Sequence, residues 1–433
     1  MKPIRASRPG AGFLFALSAV AIAVLTLPPS HGPTVPLDPL CIACGVVGGV
    51  DVVLNVVLFM PLGIALACLG GRPRRAIAAM LAASLAIELL QFVIPGRDPS
   101  LGDVLANSLG GALGFVSCAH ADRLVRPPPR LAARLLAGWG VLWLVIQAVA
   151  SYALVPAMPS GRYYGQIARD LGEMFQAFPG KVLNPTVEGI VVPNWSFAGD
   201  DLREFLDHPP PGGTHARATL RPDACPTRLA GIVRVADARN AELLILAQDG
   251  ADLLFGVRTG AEVLRLRSVR YRLRDVFGSR EQCVVQDSIV SVAATYSPDS
   301  VRLDASSDRG VHTARFTPNP AQGWRLFLPM DQALDGRPWD PWFSALWLAG
   351  LMLPFGYWGW GAARGQAPAT LVVVGVIALA LLTGLVALPF AIGAPPVGLW
   401  QCTAAAAGAI TGAVAAAVAR VKGAVPGSGV VGT

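Results

Sequence analysis

Hydrophobic positions in this chain fall in long blocks at both ends and in short strand-like runs in the middle. Runs of about 20 mostly apolar residues, the length that crosses a bilayer core as a helix, lie near 11–28, 49–69, 76–95, 103–120, 135–156, 342–362, 369–390 and 398–419. The fourth is short and rich in glycine. Between the fifth and sixth, residues 157–340 carry frequent charges and only brief apolar runs. There GIVRVADA, AELLILAQ, DLLFGVRT and EVLRLRSVRYRLR follow one another over Ala230–Arg274, separated by the turn signals Asp249-Gly250 and Thr259-Gly260. Leu264, Leu266 and Val269 alternate with Arg265, Arg267 and Arg270, and GWRLFLPM reads as a later strand after the turn at 318–323. This spacing predicts an antiparallel β-sandwich. The pattern as a whole predicts a polytopic α-helical membrane protein of about eight transmembrane helices with an inserted all-β extracytoplasmic domain.

Composition agrees: 53% of the 433 residues are hydrophobic and only 15% are charged. Residues 157–340 hold 21 Arg/Lys against 22 Asp/Glu, and the rest of the chain holds 14 against 6. The net charge of +7 therefore belongs to short loops of a membrane protein and is not a nucleic-acid signature. Lys2, Arg5 and Arg8 precede the first span; Arg72, Arg74 and Arg75 separate the second and third; Arg123, Arg126, Arg130 and Arg134 separate the fourth and fifth. Arg364 divides the sixth from the seventh, and Arg420 and Lys422 follow the eighth. With eight spans all of these share one side, so both termini are expected in the cytoplasm and 157–340 outside. The first span also has the basic start of a signal peptide. No small-x-small cleavage site follows closely, which favours an uncleaved anchor.

Cys68, Cys118 and Cys402 lie inside spans and read as small apolar residues. Cys225 and Cys283 share the exported block and can pair there, and Cys41 and Cys44 form a C-x-x-C in the outer loop, most simply a local disulfide clamp. A zinc site would need two further ligands, which are not nearby. No metal and no cofactor is expected.

The second to fourth spans hold nearly all the intramembrane polar groups. Asp51 and Asn55 stand four apart, Ser84, Glu88 and Gln91 share one stripe, and Asp103 and Asn107 are again four apart. Gly110 and Gly114 continue that last face as a small-residue helix-packing surface. At 1.5 Å per residue Glu88 sits roughly 10 Å below the outer end of its helix. Asn55, Glu88, Gln91 and Asn107 are thus expected to face one outer-leaflet ligand pocket, with Arg97 and Asp103 at its mouth. Arg97 is the one basic residue of the membrane portion that falls outside, so Glu88 or Asp103 is its expected partner. A carboxylate at that depth is a functional hypothesis by default, and Glu88 is the candidate catalytic residue if there is one. The alternative is that these groups only join helices by hydrogen bonds.

The stretches CIACGVVGGVDVVLNVVLFMPLG and ELLQFVIPGRDPSLGDVLANSLGGALG, over about 41–118, resemble the VanZ-like family, named for a glycopeptide (teicoplanin) resistance protein. N-x-x-L-F-x-P-L-G, E-x-x-Q, G-R-x-x-S and D-x-x-x-N-x-x-G appear in order. The resemblance implies a bacterial inner-membrane protein and leaves its biochemistry open. RNAELLILAQDGADLLFGVRT resembles the jelly-roll domains of the laminin-G and concanavalin-like group. That implies glycan or protein binding. A glucanase of this fold places carboxylates as E-x-D-x-E, and none is present.

LFMPLG at 58–63 is echoed by LMLPFG at 351–356, so the last three spans outline a degenerate repeat of spans two to four. The expected organisation is an anchor helix and loop at 1–40, a VanZ-like core at 41–120, a fifth helix at 121–156, the sandwich at 157–340, the second three-helix unit at 341–420 and a tail at 421–433. The leading function is recognition of an amphipathic envelope ligand, a lipid-linked precursor or a glycopeptide, with membrane lipid and an envelope glycan or protein as partners and no nucleic acid. The alternatives are an intramembrane enzyme acting on a lipid-linked substrate with Glu88 as base, and a scaffold subunit whose polar cluster is structural.

Overall fold

A computed structural model of the chain describes residues 8–29, 40–42, 45, 47–97, 99–167, 175–194, 197–278, 288–328 and 333–424. Helices α1 (Arg8–Thr26), α2 (Gly48–Cys68), α3 (Pro73–Gln91), α4 (Leu101–Ala119), the short α5 (Ala121–Val125) and α6 (Pro129–Leu154) come first. After the β-rich middle follow α9 (Asp340–Ala363), α10 (Ala367–Leu382), α11 (Leu388–Ile392) and α12 (Leu399–Ala424), with α7 (Asp200–Asp207) and α8 (Gly260–Val263) inside the β region. Every predicted span is helical. Six are long and apolar enough to cross a membrane: 9–26, 48–68, 101–119, 129–154, 367–392 and 399–420. The other two, α3 and α9, are diluted by Arg74, Arg75 and Glu88 in the first case and by tryptophan, tyrosine and glycine in the second.

Two compact units divide the described chain. One takes in Met1–Val145, Leu346–Leu382 and Cys402–Thr433, and the other Ile146–Ala345 and Thr383–Gln401. In the first, α9 and α12 approach to backbone distance. A Cβ on Gly356 would stand 1.7 Å from the Ala409 carbonyl oxygen, one on Gly408 2.1 Å from that of Ala349, and one on Gly412 2.0 Å from that of Leu353. Indole N–H groups tie α6 to its neighbours: Trp139 donates to the Leu351 carbonyl at 2.8 Å and Trp143 to that of Ala380 at 3.0 Å.

The second unit holds the sandwich. Its strands are β1 (Tyr163–Gln166), β2 (Gln176–Ala177), β3 (Gly180–Val187), β4 (Ile190–Val191), β5 (Phe197–Ala198), β6 (Thr214–Pro222), β7 (Ala230–Asp237), β8 (Glu242–Asp249), β9 (Asp252–Val257), β10 (Arg270–Leu273), β11 (Val290–Ser297), β12 (Ser300–Ser307) and β13 (Gly310–Phe316). One sheet runs β10-β9-β8-β7-β1-β5 with β2 parallel on β7, and the other runs β13-β12-β11-β6-β3-β4. All pairings but β2–β7 are antiparallel. β8 and β9 are buried on both faces, which is why ELLILA and DLLFGV read as unbroken apolar runs. β6 and β11 alternate buried with accessible residues, so one face of the second sheet is solvated. Tyr271 of β10 packs on Phe316 of β13 with ring centroids 5.5 Å apart.

Two predicted strands fold otherwise. The run Glu262–Arg274 begins as the helical turn α8, because Thr259 and Glu262 form a capping box. Glu262 accepts from the Thr259 N–H at 2.9 Å, and the Thr259 hydroxyl accepts from the Ala261 N–H. Arg265 then adopts φ 54°, and only 270–273 pairs as β10. GWRLFLPM is mostly a 3₁₀ turn, Pro320–Phe327, capped by Asn319 and started by a proline at its first position.

Candidate functional site

The polar residues of α2, α3 and α4 are joined through one helix start. Ser100 is the N-cap of α4, and its hydroxyl accepts from the Asp103 N–H at 3.0 Å. In a capping box the side chain at the third helical position returns the favour to the cap N–H. Here that bond comes from another helix: Glu88 of α3 accepts from the Ser100 N–H at 2.8 Å. Asp103, so released, accepts from the Asn55 amide of α2 at 2.7 Å. One bond deeper, the Asn107 amide donates to the Ser84 hydroxyl at 3.0 Å, while the Asn107 Oδ1 has no partner among the described residues. Ser84, Glu88, Ser100 and Asn107 are all nearly inaccessible.

Four of the predicted site residues, Asn55, Glu88, Asp103 and Asn107, therefore gather on α2–α4. Gln91 is also buried, but its amide donates to the Thr26 carbonyl at the end of α1 at 3.0 Å. Arg97 pairs with neither Glu88 nor Asp103. Its guanidinium donates to the carbonyl of Leu25 in the last turn of α1 at 3.2 Å, one of that helix's unsatisfied carbonyls, and to that of Pro28 just past its end at 2.9 Å. Asp51 is exposed in the first turn of α2. Glu88 thus has no basic side chain at ion-pairing distance among the described residues.

Close helix packing frames this network. A Cβ on Gly110 would stand 2.0 Å from the Val56 carbonyl oxygen, and one on Gly114 2.0 Å from that of Met60. A Cβ on Gly63 would stand 1.9 Å from the Gly111 carbonyl oxygen, and one on Gly102 1.9 Å from that of Ile42. Sequence reasoning missed Ser100, Gly63 and Gly102. The signal for Ser100 was its S-x-x-D spacing to Asp103, a helix-start pattern.

Cys41 and Cys225 are disulfide-bonded. Their expected partners, Cys44 and Cys283, lie outside the described residues. Cys68 and Cys118 are free thiols whose sulfurs approach to 2.8 Å at the far ends of α2 and α4.

Fold and site together define a multi-pass α-helical membrane protein with an inserted two-sheet β domain. A model of the VanZ/LLP1 family matches residues 15–122, the stretch that contains most of α1 and all of α2–α4. The matched segment is well under half of the chain, and the sandwich and α9–α12 lie outside it. It begins earlier than the motifs at 41–118, inside α1, in keeping with the bonds from Gln91 and Arg97 to the end of that helix. No curated protein matches the chain, and no solved structure does.

Proposed function

We propose that the α2–α4 network recognises the polar head of an amphipathic envelope ligand, a lipid-linked precursor or a glycopeptide, from the outer leaflet. The carrying observation is a comparison within the chain. α9 and α12 close against each other with the same glycine spacing as α2 and α4, yet Leu348 and Ala405 stand where Asn55 and Asn107 would be. We read residues 341–420 as a degenerate second copy of the core. Close packing is therefore achievable without the polar groups, and a buried carboxylate without a counter-charge is costly in a membrane. Glu88 and the open Oδ1 of Asn107 offer acceptors suited to a headgroup rich in hydroxyl or amine donors.

The basic loops support a bacterial inner-membrane placement with both termini cytoplasmic. Disulfide-bonded Cys41 and Cys225 fit an oxidising outer compartment. On that outer side, the solvated face of the second sheet carries a cleft of about 550 Å³ lined by His215, Arg217, Thr295, Arg302, Asp304 and Arg315, among others, polar groups suited to glycan hydroxyls or to a protein partner.

The scaffold reading has its own support: the Asn55 amide bonds Asp103, the Asn107 amide bonds Ser84 and the Glu88 carboxylate bonds the Ser100 N–H, all within the network. An intramembrane enzyme with Glu88 as base would need that carboxylate to become accessible. Mass spectrometry of lipids co-purifying with wild-type protein and with Glu88→Gln separates the readings. Recognition predicts an envelope lipid or glycolipid that the variant loses while its melting temperature holds. The same co-purified set in both proteins would leave a scaffold.

A further inference from the structure

We propose that the opposite end of the helical unit, where the loop after α5 meets α9 and α12, is a binding site for an anionic glycerophospholipid headgroup. A cavity of about 220 Å³ is lined there by Val125, Arg126, Pro127, Tyr357, Gly361, Ala416, Ala419 and Arg420. Among the described residues that line it, the two arginines are the only charged ones. The Arg420 guanidinium is held in place by donating to the Gly361 carbonyl at 3.0 Å, which uses one of its five N–H groups. Arg126 has no side-chain partner among the described residues and is exposed. The wall between them is fixed: the Tyr357 hydroxyl donates to the Val125 carbonyl at 2.5 Å, and the Trp358 indole to that of Leu124 at 3.1 Å.

Charge selects an anion, because no carboxylate lines the cavity. Planar guanidinium forks match a phosphate through paired N–H bonds. Size selects a small one, a phosphodiester with its glycerol and not a nucleotide. Position selects a lipid over free phosphate. Ala416, Ala419 and Arg420 lie at the end of the apolar stretch of α12, and Ile410, Val414 and Val418 on the same helix are exposed at 65%, 56% and 48%. A headgroup seated between the arginines would leave its acyl chains beside that apolar helix. Basic pockets at the ends of transmembrane helices are suited to such headgroups. This site is separate from the Glu88 network and does not depend on its function.

The test uses full-length protein in detergent micelles doped with phosphatidylglycerol or with phosphatidylcholine, and native mass spectrometry to count retained lipid. Wild-type protein is expected to retain phosphatidylglycerol selectively. Arg126→Gln with Arg420→Gln should weaken that retention about 25-fold, since each arginine near an anionic headgroup contributes on the order of fivefold. Arg126→Gln alone, which removes no side-chain bond among the described residues, should weaken it about fivefold without lowering the melting temperature. This single variant keeps the test readable if the double variant melts early. Arg130→Gln, an exposed arginine outside the cavity, should leave retention unchanged. Equal retention of the two lipids would overturn the proposal, as would an equal loss in Arg130→Gln or displacement of the lipid by inorganic phosphate alone.

Discussion

Helix pairs α2/α4 and α9/α12 solve the same packing problem with different chemistry. Val56, Met60 and Gly63 meet Gly110, Gly114 and Gly111, and Ala349, Leu353 and Gly356 meet Gly408, Gly412 and Ala409 in the same order and spacing. Each leading helix carries a proline two residues before its glycine, Pro61 and Pro354. The loop that returns to the trailing helix is pinned differently. In the first pair the Ser100 N–H is received by the Glu88 carboxylate at 2.8 Å. In the second the Val397 N–H is received by the Leu385 backbone carbonyl at 2.9 Å, within a π-helical turn at Thr383–Ala387. Pro389, four residues on, has no N–H to give that carbonyl, so the acceptor is free for the loop. One pair pins its loop with a charged side chain and the other with a proline-freed carbonyl. A carboxylate is thus one way of pinning this loop and not a requirement of the fold.

The largest effect should come from what the two pairs share. Gly110→Ala and Gly408→Ala each place a methyl group about 2 Å from a backbone oxygen, a clash that only separating the helices can relieve. Each should cost about 1–3 kcal/mol or more, seen as a lower melting temperature in detergent. Gly375→Ala on α10, where nothing lies within 4 Å, is the control and should be neutral or stabilising. A large loss at Gly110 with none at Gly408 would break the equivalence of the two pairs.

Next in size are the loop pins. Glu88→Ala removes the acceptor of a buried N–H and should cost about 1–3 kcal/mol. Glu88→Gln keeps an acceptor oxygen in nearly the same place, so stability should survive while the charge is lost. If recognition depends on that charge, Glu88→Gln abolishes the phenotype the gene confers at unchanged expression and melting temperature. Full function in Glu88→Gln would assign the network to the scaffold.

In the second pair, Pro389→Ala supplies an N–H that competes for the Leu385 carbonyl. Hydrogen exchange at Val397 should speed up by about tenfold, the loss of roughly one hydrogen bond. Unchanged protection at Val397 would show that the proline does not free the acceptor, and the contrast between the two loops would lose its cause.

Membrane helices were legible because a span of apolar residues is a long, redundant signal. The site was legible as residue types on helix faces, but its pairings were not. Arg97 was expected to seek a carboxylate and instead donates to carbonyls at the end of α1, since nothing in the sequence says which helix end lies beside it. In the sandwich, β7, β8 and β9 stand out as apolar runs, whereas β6, β11 and β12 carry only a plain alternation of buried and accessible residues, a weaker signal. Over 262–269 alternation predicts a strand, but a local helix-start signal, Thr259 with Glu262, settles the backbone over a shorter range than a strand needs.

The smallest effect concerns the starts of the trailing helices. Ser100 caps α4 with its hydroxyl on the Asp103 N–H, and the residue in the same place before α12 is Gly398, with Gln401 three positions on. Glycine tolerates the cap position but offers no acceptor, and the difference from serine is a few tenths of a kcal/mol. Gly398→Ser should therefore stabilise α12 slightly, provided its new Cβ is accommodated. The obstacle is the Gln401 Oε1, 2.7 Å from the ideal Cβ position, and it is the end of a flexible side chain that can swing aside. Ser100→Gly should destabilise α4 by a similar amount. Amide exchange over the first turns of α4 and α12 would resolve both, with slower exchange in Gly398→Ser and faster exchange in Ser100→Gly. If Gly398→Ser speeds exchange instead, Gln401 is held by the backbone of that turn, and the two helix starts are built on different caps.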